Sequence, residues 1–132
     1  MFGDDFMLAL CMWREARGDG EAGMQAVGST IRNRVKIGAD STSYYREIVR
    51  PLQFSSITAP GDHQLTIWPY LHSPLEAESW LEAQQLAAGI INGSLPDNTN
   101  GATHYFATSI PMPSWAKVMQ MTCQIGNQRF YK

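Results

Sequence analysis

The sequence predicts an α+β domain that is mainly helical and carries a small antiparallel β-sheet. Apolar residues recur at helical spacing in about four segments before residue 93, and three short strand-like segments follow. Hydrophobic residues make up 44% of the 132 residues and charged residues 17%, which is typical of a globular chain with a buried core. We therefore expect residues 1–132 to fold as a single domain.

The first predicted helix runs from about Asp5 to Arg17. Asp4 or Asp5 would cap it, and Gly18 would end it. Its apolar stripe consists of Phe6, Leu10 and Trp13. Glu15 lies in the last turn, off this stripe but beside other apolar residues, so we expect its side chain to be partly buried.

The second predicted helix runs from about Glu21 to Val35. Gly23 and Gly28 within it each lower helix stability by about 1 kcal/mol. Glycines in such positions usually indicate close packing against another backbone. A polar loop follows, and Ser43 can then start a short helix over residues 44–49 that Pro51 ends.

The clearest helix start in the sequence is Ser73-Pro74-Leu75-Glu76, with Ser at the N-cap, Pro at the first helical position and Glu two positions later. This fourth helix continues to about Asn92, and Gly93 ends it. Residues 102–106, 119–125 and 128–131 then favour strands. The last two flank Gly126-Asn127, a strong signal for a two-residue hairpin.

Charge and hydropathy exclude several classes of protein. A formal net charge of −2 argues against a nucleic-acid partner, because no basic field is available to hold phosphates. The apolar run from Met7 to Trp13 is too short for membrane insertion, and the N-terminus has no cationic region of an export signal. Cys11 and Cys123 do not form a disulfide framework; we expect free thiols, with a single bridge as the alternative.

Glu15 is the first candidate for chemistry. A carboxylate in the last turn of a helix faces the negative end of the helix dipole, and burial adds a desolvation cost, so both effects favour the protonated acid. Such an acid suits general acid catalysis of glycosidic cleavage. The alternative is a solvated acid without a role. Asp19, Glu21, Glu47 and Asp62 are available as a second carboxylate, but none is singled out by spacing. One acid suffices where a sugar hydroxyl is the nucleophile.

Other sites are weaker candidates. The three histidines, His63, His72 and His104, show no metal-binding pattern, so we predict no metal and no cofactor. A nucleophilic pair of Cys11 with His104 can be drawn, but Cys11 lies in an apolar pattern that favours a buried thiol. Aromatic residues in the irregular region 51–74 could either line a sugar-binding cleft or anchor the loop to the core.

Several ordered blocks resemble the cell-wall hydrolase family named for the spore cortex-lytic enzyme (SleB-like). The first block runs from Leu8 to Val27 and includes Trp13-Arg14-Glu15-Ala16-Arg17-Gly18. The later blocks are Ile31-Arg32-Asn33-Arg34-Val35, Gln53-Phe54-Ser55, Ala102-Thr103-His104-Tyr105-Phe106, Pro113-Ser114-Trp115-Ala116 and Ile125-Gly126-Asn127-Gln128-Arg129-Phe130-Tyr131. The family usually has Glu at position 19, where this chain has Asp19, and commonly has other residues at Phe106 and Gln128.

The resemblance implies a lysozyme-like fold that cleaves peptidoglycan glycan strands between N-acetylmuramic acid and N-acetylglucosamine. Glu15 matches the family's catalytic acid, and the lack of a second acid favours lytic transglycosylation. The residues that would face the groove and bind substrate are Gln53, Phe54, Ser55, Thr103, His104, Tyr105 and Trp115. The alternatives are hydrolysis by a muramidase, a wall amidase or peptidase that uses Cys11 or zinc, and a non-catalytic wall-binding module.

The spore enzymes also carry a signal peptide and a wall-binding domain. A catalytic domain without either resembles a bacteriophage endolysin, which is made in the bacterial cytoplasm and acts on the cell wall after a holin releases it. We expect such a protein to be a monomer. A catalytic domain excised from a longer enzyme would look the same.

Overall fold

Helix α1, Asp4–Ala16, occupies the centre of the fold in the computed structural model, which describes residues 3–38, 43–50, 54, 57, 60–69 and 74–132. Every residue from Met7 to Arg14 is buried, so the helix is enclosed on all sides over two turns. The buried surface of α1 is therefore wider than the predicted apolar stripe of Phe6, Leu10 and Trp13. Three further helices pack around α1: α2, Gly20–Ile37; α3, Tyr44–Ile48; and α4, Pro74–Asn92.

The predicted helix ends are close to those observed, with one correction. Asp4 and Asp5 do not cap α1, because Gly3 occupies the N-cap and both acids lie in the first turn. Asp4 Oδ1 instead accepts a hydrogen bond from the Tyr45 backbone N–H at 3.0 Å, which joins α1 to α3. After Ala16 the chain tightens into a 3₁₀ helix, Arg17–Asp19, before α2 begins.

The other helix caps follow the sequence prediction where the structure describes them. Ser43 caps α3 by accepting from the Arg46 N–H at 3.3 Å. Helix α2 extends two residues beyond the predicted Val35, because Gly38 takes the left-handed conformation that ends it. The predicted N-cap of α4, Ser73, lies outside the described residues.

Gly28 lies where α1, α2 and α4 meet. A Cβ atom there would overlap Ile90 Cδ1 and would lie 2.8 Å from Met12 Sδ. The expectation of close packing is confirmed, but the neighbours are side chains rather than a backbone. A hydrogen bond from Trp13 Nε1 to Ser79 Oγ at 2.8 Å also links α1 to α4.

The sheet has the order β1-β3-β2 and is antiparallel throughout. Its strands are β1, His104–Ala107; β2, Met121–Ile125; and β3, Gln128–Tyr131. The hairpin at Gly126-Asn127 joins β2 to β3 as predicted. Strand β1 starts two residues later than predicted. The reason is that the Ala102 C=O accepts a hydrogen bond from Asn33 of α2, and its N–H donates to Thr99 Oγ1.

The sheet packs against α2 through Ala26, Ala102 and Phe130, which are fully buried together. Cys11 and Cys123 are both free, so the bridge considered from the sequence does not form. None of the helices that the structure describes combines the length and hydropathy needed to cross a bilayer.

Candidate active site

Glu15 and Tyr105 meet at the junction of α1 and β1. Tyr105 Oη donates a hydrogen bond of 2.5 Å to Glu15 Oε1, and both side chains are half-buried. Burial and the neighbouring Glu15 carboxyl raise the pKa of Tyr105 well above its usual value. The phenol therefore stays protonated and remains a donor to Glu15.

Glu15 faces a groove of about 460 Å³ between α1, α2, the sheet and the segment after β1. The described residues that line it are Glu15, Arg34, Phe54, His104, Tyr105, Phe106, Ala107, Ile110, Pro113, Trp115 and Gln128. One carboxyl, one guanidinium and several aromatic rings thus share one concave surface. Such a mixture of apolar walls and few polar groups is typical of ligand-binding sites.

Helix α2 positions the start of β1 through consecutive polar side chains. Asn33 Nδ2 donates to the Ala102 carbonyl at 2.8 Å, and Arg34 Nε donates to the Thr103 carbonyl at 2.5 Å. Asp97 accepts from the Thr99 and Gly101 N–H groups, which shapes the loop that leads into β1. The block that contains Asn33 and Arg34 therefore sets the position of Tyr105 relative to Glu15.

Arg34 belongs to a buried ion-pair network behind the groove. Its Nη1 lies 3.3 Å from Glu47 Oε1, and Arg50 Nη1 lies 2.9 Å from the same oxygen. The Glu47 side chain is only 1% exposed. The Arg34 guanidinium also lies 5.6 Å from the centre of the Phe54 ring. Glu47 thus partly compensates the charge of Arg34 and holds its guanidinium beside the groove.

An aromatic cluster that includes His104, Phe106 and Trp115 forms one wall of the groove. The Trp115 ring centre lies 5.1 Å from that of His104 and 5.9 Å from that of Phe106, which in turn stacks on Tyr131. Burial and the nearby Arg34 and Arg50 charges lower the pKa of His104. The imidazole is therefore neutral at neutral pH, and its Nδ1 lies 2.9 Å from Thr103 Oγ1.

Most of the sequence-predicted site residues that the structure describes come together here. Glu15, His104, Tyr105 and Trp115 line the groove. Phe54 also lines it but is only 2% exposed and belongs to the main core, so it anchors its segment more than it presents a surface.

Three predicted binding residues are not among the described residues that line the groove. Thr103 is absent from the groove lining, and its hydroxyl contacts His104. Gln53 and Ser55 lie outside the described residues.

Sequence reasoning missed Arg34, Phe106, Pro113 and Gln128 as groove residues. All four lie inside the blocks that carry the family resemblance, so membership of those blocks was the signal that could have identified them. Ala107 and Ile110 lie outside the blocks and carried no such signal.

Of the four acids considered as partners of Glu15, three have structural contacts elsewhere and Glu21 is exposed on α2. Asp19 accepts from the Asn127 N–H, Asp62 caps a 3₁₀ helix at Gln64, and Glu47 pairs with arginines. Of the twelve acidic residues in the chain, all but Asp40 are described, and among those Glu15 alone lines the groove. The structure thus presents one carboxyl to a ligand in this groove.

Cys11 is fully buried one turn before Glu15 on α1. Burial, and then the nearby Glu15 charge, raise the pKa of its thiol well above the usual value. A thiol in this state is a poor nucleophile. Among the described residues, no group of three His, Cys, Asp or Glu side chains could hold a metal ion.

A cleft near Arg17 and the loop residue Trp68 both lie apart from the groove. A cleft of about 500 Å³ is lined by Arg17, Gly18, Gly20, Glu76, Glu78, Ser79 and Glu82. It is slightly larger than the groove, but its described lining contains three acids and no aromatic ring. Trp68, one of the loop aromatics, packs under the Arg14 guanidinium at 4.7 Å and does not line the groove.

Comparisons with known proteins give the family of this chain and similar folds. A family model described as Cell Wall Hydrolase matches residues 18–131. Among solved structures, the chain is similar to the catalytic domain of the germination-specific lytic transglycosylase SleB from Bacillus anthracis. The identity is 25% and the TM-score 0.75, over 100% of this chain and 96% of that chain.

The catalytic domain of the Bacillus cereus SleB protein is similar to the same degree, with 25% identity and a TM-score of 0.75. That match covers 98% of this chain and 89% of the other. No curated protein sequence matches. The family model begins three residues after Glu15, whereas the first of these structural matches includes α1. The mainly helical, lysozyme-like fold predicted from the sequence is confirmed, and the chain belongs to the cell wall hydrolase family.

Proposed function

We propose that this protein cleaves the glycan strands of bacterial peptidoglycan between N-acetylmuramic acid and N-acetylglucosamine as a lytic transglycosylase, with Glu15 as its catalytic acid. The observation that carries the proposal is that Glu15 is the single described carboxyl in an aromatic-walled groove, held there by Tyr105. The family match supports cell-wall cleavage, and the similarity to a lytic transglycosylase supports the reaction type.

The reaction needs one group that first donates and then accepts a proton. Protonated Glu15 would donate to the glycosidic oxygen as the bond to C1 of the muramic sugar breaks, and the N-acetylglucosamine end leaves as an alcohol. The 6-hydroxyl of the same muramic sugar then bonds to C1 and returns its proton to Glu15. The product is a 1,6-anhydro ring, no water is consumed, and the acid is restored.

The groove walls suit this reaction. Trp115, Phe106 and His104 present ring surfaces on which the C–H faces of sugars can pack. Arg34 lines the groove, and its ion pair with Glu47 partly offsets the repulsion between its guanidinium and the positive charge that develops on C1. Tyr105 holds the Glu15 carboxyl in one orientation, which reduces the reorganisation needed for proton transfer.

Hydrolysis by two carboxylates would require a second acid about 5–10 Å from the first. Within the described part of the chain, the groove offers only Glu15 for that purpose. This is why we prefer transglycosylation to hydrolysis. The buried state of Cys11 likewise argues against a thiol-dependent amidase or peptidase.

The test is product analysis on purified sacculi with the wild type, Glu15→Gln and Glu21→Gln. Glu21 is an exposed acid on α2, so its variant controls for loss of one negative charge. We expect anhydro-muropeptides from the wild type and Glu21→Gln, and a rate lower by about 10²- to 10⁴-fold for Glu15→Gln. Reducing sugar ends would indicate hydrolysis, and new free amino groups would indicate an amidase or peptidase.

The endolysin role, with holin-dependent release of a monomer, is a further part of the proposal. Expression in a bacterial host with and without a holin provides its test. Lysis that requires both proteins would agree with it, whereas lysis by this protein alone would contradict holin dependence.

A further inference from the structure

A further cleft, distinct from the groove and from the cleft at Arg17, lies on the side of α2 that carries Arg32 and Lys36. It has a volume of about 340 Å³ and lies between the C-terminal halves of α2 and α4. Its described lining consists of Arg32, Lys36, Tyr44, Ile90, Ile91, Gly93, Leu95, Pro96 and Asp97. Two cations and a phenol thus face a wall that is mostly apolar.

Arg32 is the unusual member of this lining. Its side chain is only 7% exposed, and its Nη1 donates to the Leu95 carbonyl at 2.6 Å. Its Nε atom is buried and has no hydrogen-bond partner in the structure. A buried donor of a charged group without an acceptor is costly, and an anion in the cleft would relieve that cost.

The neighbouring groups also favour an anion. Lys36 lies one helical turn after Arg32 on α2, so both cations point to the same side. Burial raises the pKa of Tyr44, so its phenol remains a neutral donor. Asp97, the one acid in the described lining, opposes an anion, but hydrogen bonds from Thr99, Gly101 and Asn33 offset part of its charge, and the two cations outnumber it.

We propose that this cleft binds the terminal carboxylate of a short apolar peptide, of the kind that peptidoglycan strands carry. The guanidinium of Arg32 and the ammonium of Lys36 would hold the carboxylate. The side chains of Ile90, Leu95 and Pro96 would contact small apolar groups such as alanine methyls. The source of the peptide rests on the proposed function, whereas the carboxylate site rests on the cleft alone.

The experiment titrates the intact protein with N-acetyl-D-alanyl-D-alanine, with its C-terminal amide, and with inorganic phosphate, and follows binding by amide NMR shifts. We expect saturable binding of the free acid that moves the Gly93 and Leu95 signals, with the amide and phosphate each bound at least about tenfold more weakly. Equal binding of the amide, or tighter binding of phosphate, would overturn the assignment to a peptide carboxylate.

Two variants locate the site. Arg32→Lys keeps the charge but removes the Nε–H donor, and Lys36→Gln removes an exposed cation, so we expect each to weaken binding about tenfold. Arg46→Gln, an exposed arginine outside the cleft, should change it less than twofold. If Arg32→Lys does not fold, Lys36→Gln alone tests the site, and unchanged peptide binding by that variant would refute it.

The outcome is separable from that of the proposed function. Peptide binding needs no turnover, so Glu15→Gln should bind the dipeptide as the wild type does. Failure to digest sacculi together with normal peptide binding would reject the proposed reaction alone. Normal digestion without peptide binding would reject the second site alone.

Discussion

Tyr105 Oη donates a 2.5 Å hydrogen bond to Glu15 Oε1 across a sequence separation of 90 residues. This contact joins the last turn of α1 to the first strand of the sheet. The orientation of the candidate acid therefore depends on how the sheet docks on the helices. That docking is set largely by α2, whose Asn33 and Arg34 hold the residues that precede β1.

Tyr105→Phe removes this hydrogen bond while the ring keeps its contact with Phe130. Loss of a hydrogen bond that leaves a partly buried group without its partner costs about 1–3 kcal/mol, so we expect kcat to fall roughly ten- to a hundredfold. KM should change little, because the hydroxyl is directed at Glu15 and not at the sugar. Kinetics on soluble glycan strands, with thermal melting to verify folding, provide the measurement. An unchanged kcat would contradict the positioning role.

Cys11→Ala should leave the rate of wall digestion within about twofold of the wild type and cost about 1 kcal/mol of stability. The reason is that Cys11 is fully buried and its thiol pKa is raised by burial. Iodoacetamide should accordingly label Cys123, which is partly exposed, before Cys11 in the folded protein. Inhibition that follows labelling of Cys11, together with an inactive Cys11→Ala, would instead favour a thiol enzyme.

The sequence predicted what local patterns determine. The helix limits, the Gly126-Asn127 hairpin and the placement of Glu15 at a helix end all follow from spacing, capping and turn residues, and the structure agrees within about two residues. The grouping of His104, Tyr105 and Trp115 with Glu15 came from the family resemblance and not from any pattern within the chain.

Contacts between distant side chains could not be predicted in this way. Glu47 is one of several acids in the sequence, yet it is buried because Arg34 and Arg50 converge on it from different elements. Asp4 satisfies the cap pattern for α1 but bonds to Tyr45 instead, since α3 packs against that end of the helix. Such choices depend on tertiary packing, on which spacing along the chain carries no information.

Glu47→Gln should destabilise the protein by about 3 kcal/mol. The change leaves Arg34 and Arg50 without their shared carboxylate, and loss of one partner from a buried ion pair typically costs about 3–5 kcal/mol. The partial exposure of Arg50, at 35%, places the effect at the low end of that range. Urea unfolding measures the change. The matched control is Glu78→Gln, an exposed acid whose replacement should leave the free energy of unfolding within about 0.5 kcal/mol of the wild type. Equal stability of the two variants would show that the network contributes little.

His104 should make stability depend on pH below neutrality. Its pKa is lowered in the folded protein by burial and by the Arg34 and Arg50 charges, so the unfolded chain binds the proton more readily. The free energy of unfolding should therefore decrease as the pH falls below about 6.5, the ordinary value, towards the folded pKa.

In His104→Gln this part of the decrease should be absent. Urea unfolding of both proteins from pH 7.5 to 5.5 measures the difference in slope. Asp97, whose hydrogen bonds outweigh the effect of burial and lower its pKa below 3.8, loses its contribution only at more acidic pH. Parallel slopes for the two proteins would contradict the prediction.

Gly126→Ala should be destabilising for two separable reasons. Gly126 has a φ of +56°, which costs a residue with a Cβ about 1–2 kcal/mol. The added Cβ would also lie 2.6 Å from Asp19 Oδ1, the atom that accepts the Asn127 N–H at 3.1 Å. The clash would displace the contact that ties the 3₁₀ helix between α1 and α2 to the hairpin. We expect a total cost of about 2–3 kcal/mol in the wild-type background.

Asp19→Ala provides the matched background, since it removes the two closest atoms that the new methyl group would meet, Oδ1 at 2.6 Å and Cγ at 2.8 Å, and leaves only Cβ at 3.0 Å. The single Asp19→Ala change should cost about 1 kcal/mol through loss of the hydrogen bond to Asn127. In the Asp19→Ala background, Gly126→Ala should cost less than in the wild type, close to the 1–2 kcal/mol of its backbone conformation. A double-mutant cycle from urea unfolding of the four proteins measures the coupling. Equal costs of Gly126→Ala in both backgrounds would mean that Asp19 and the hairpin turn are energetically independent.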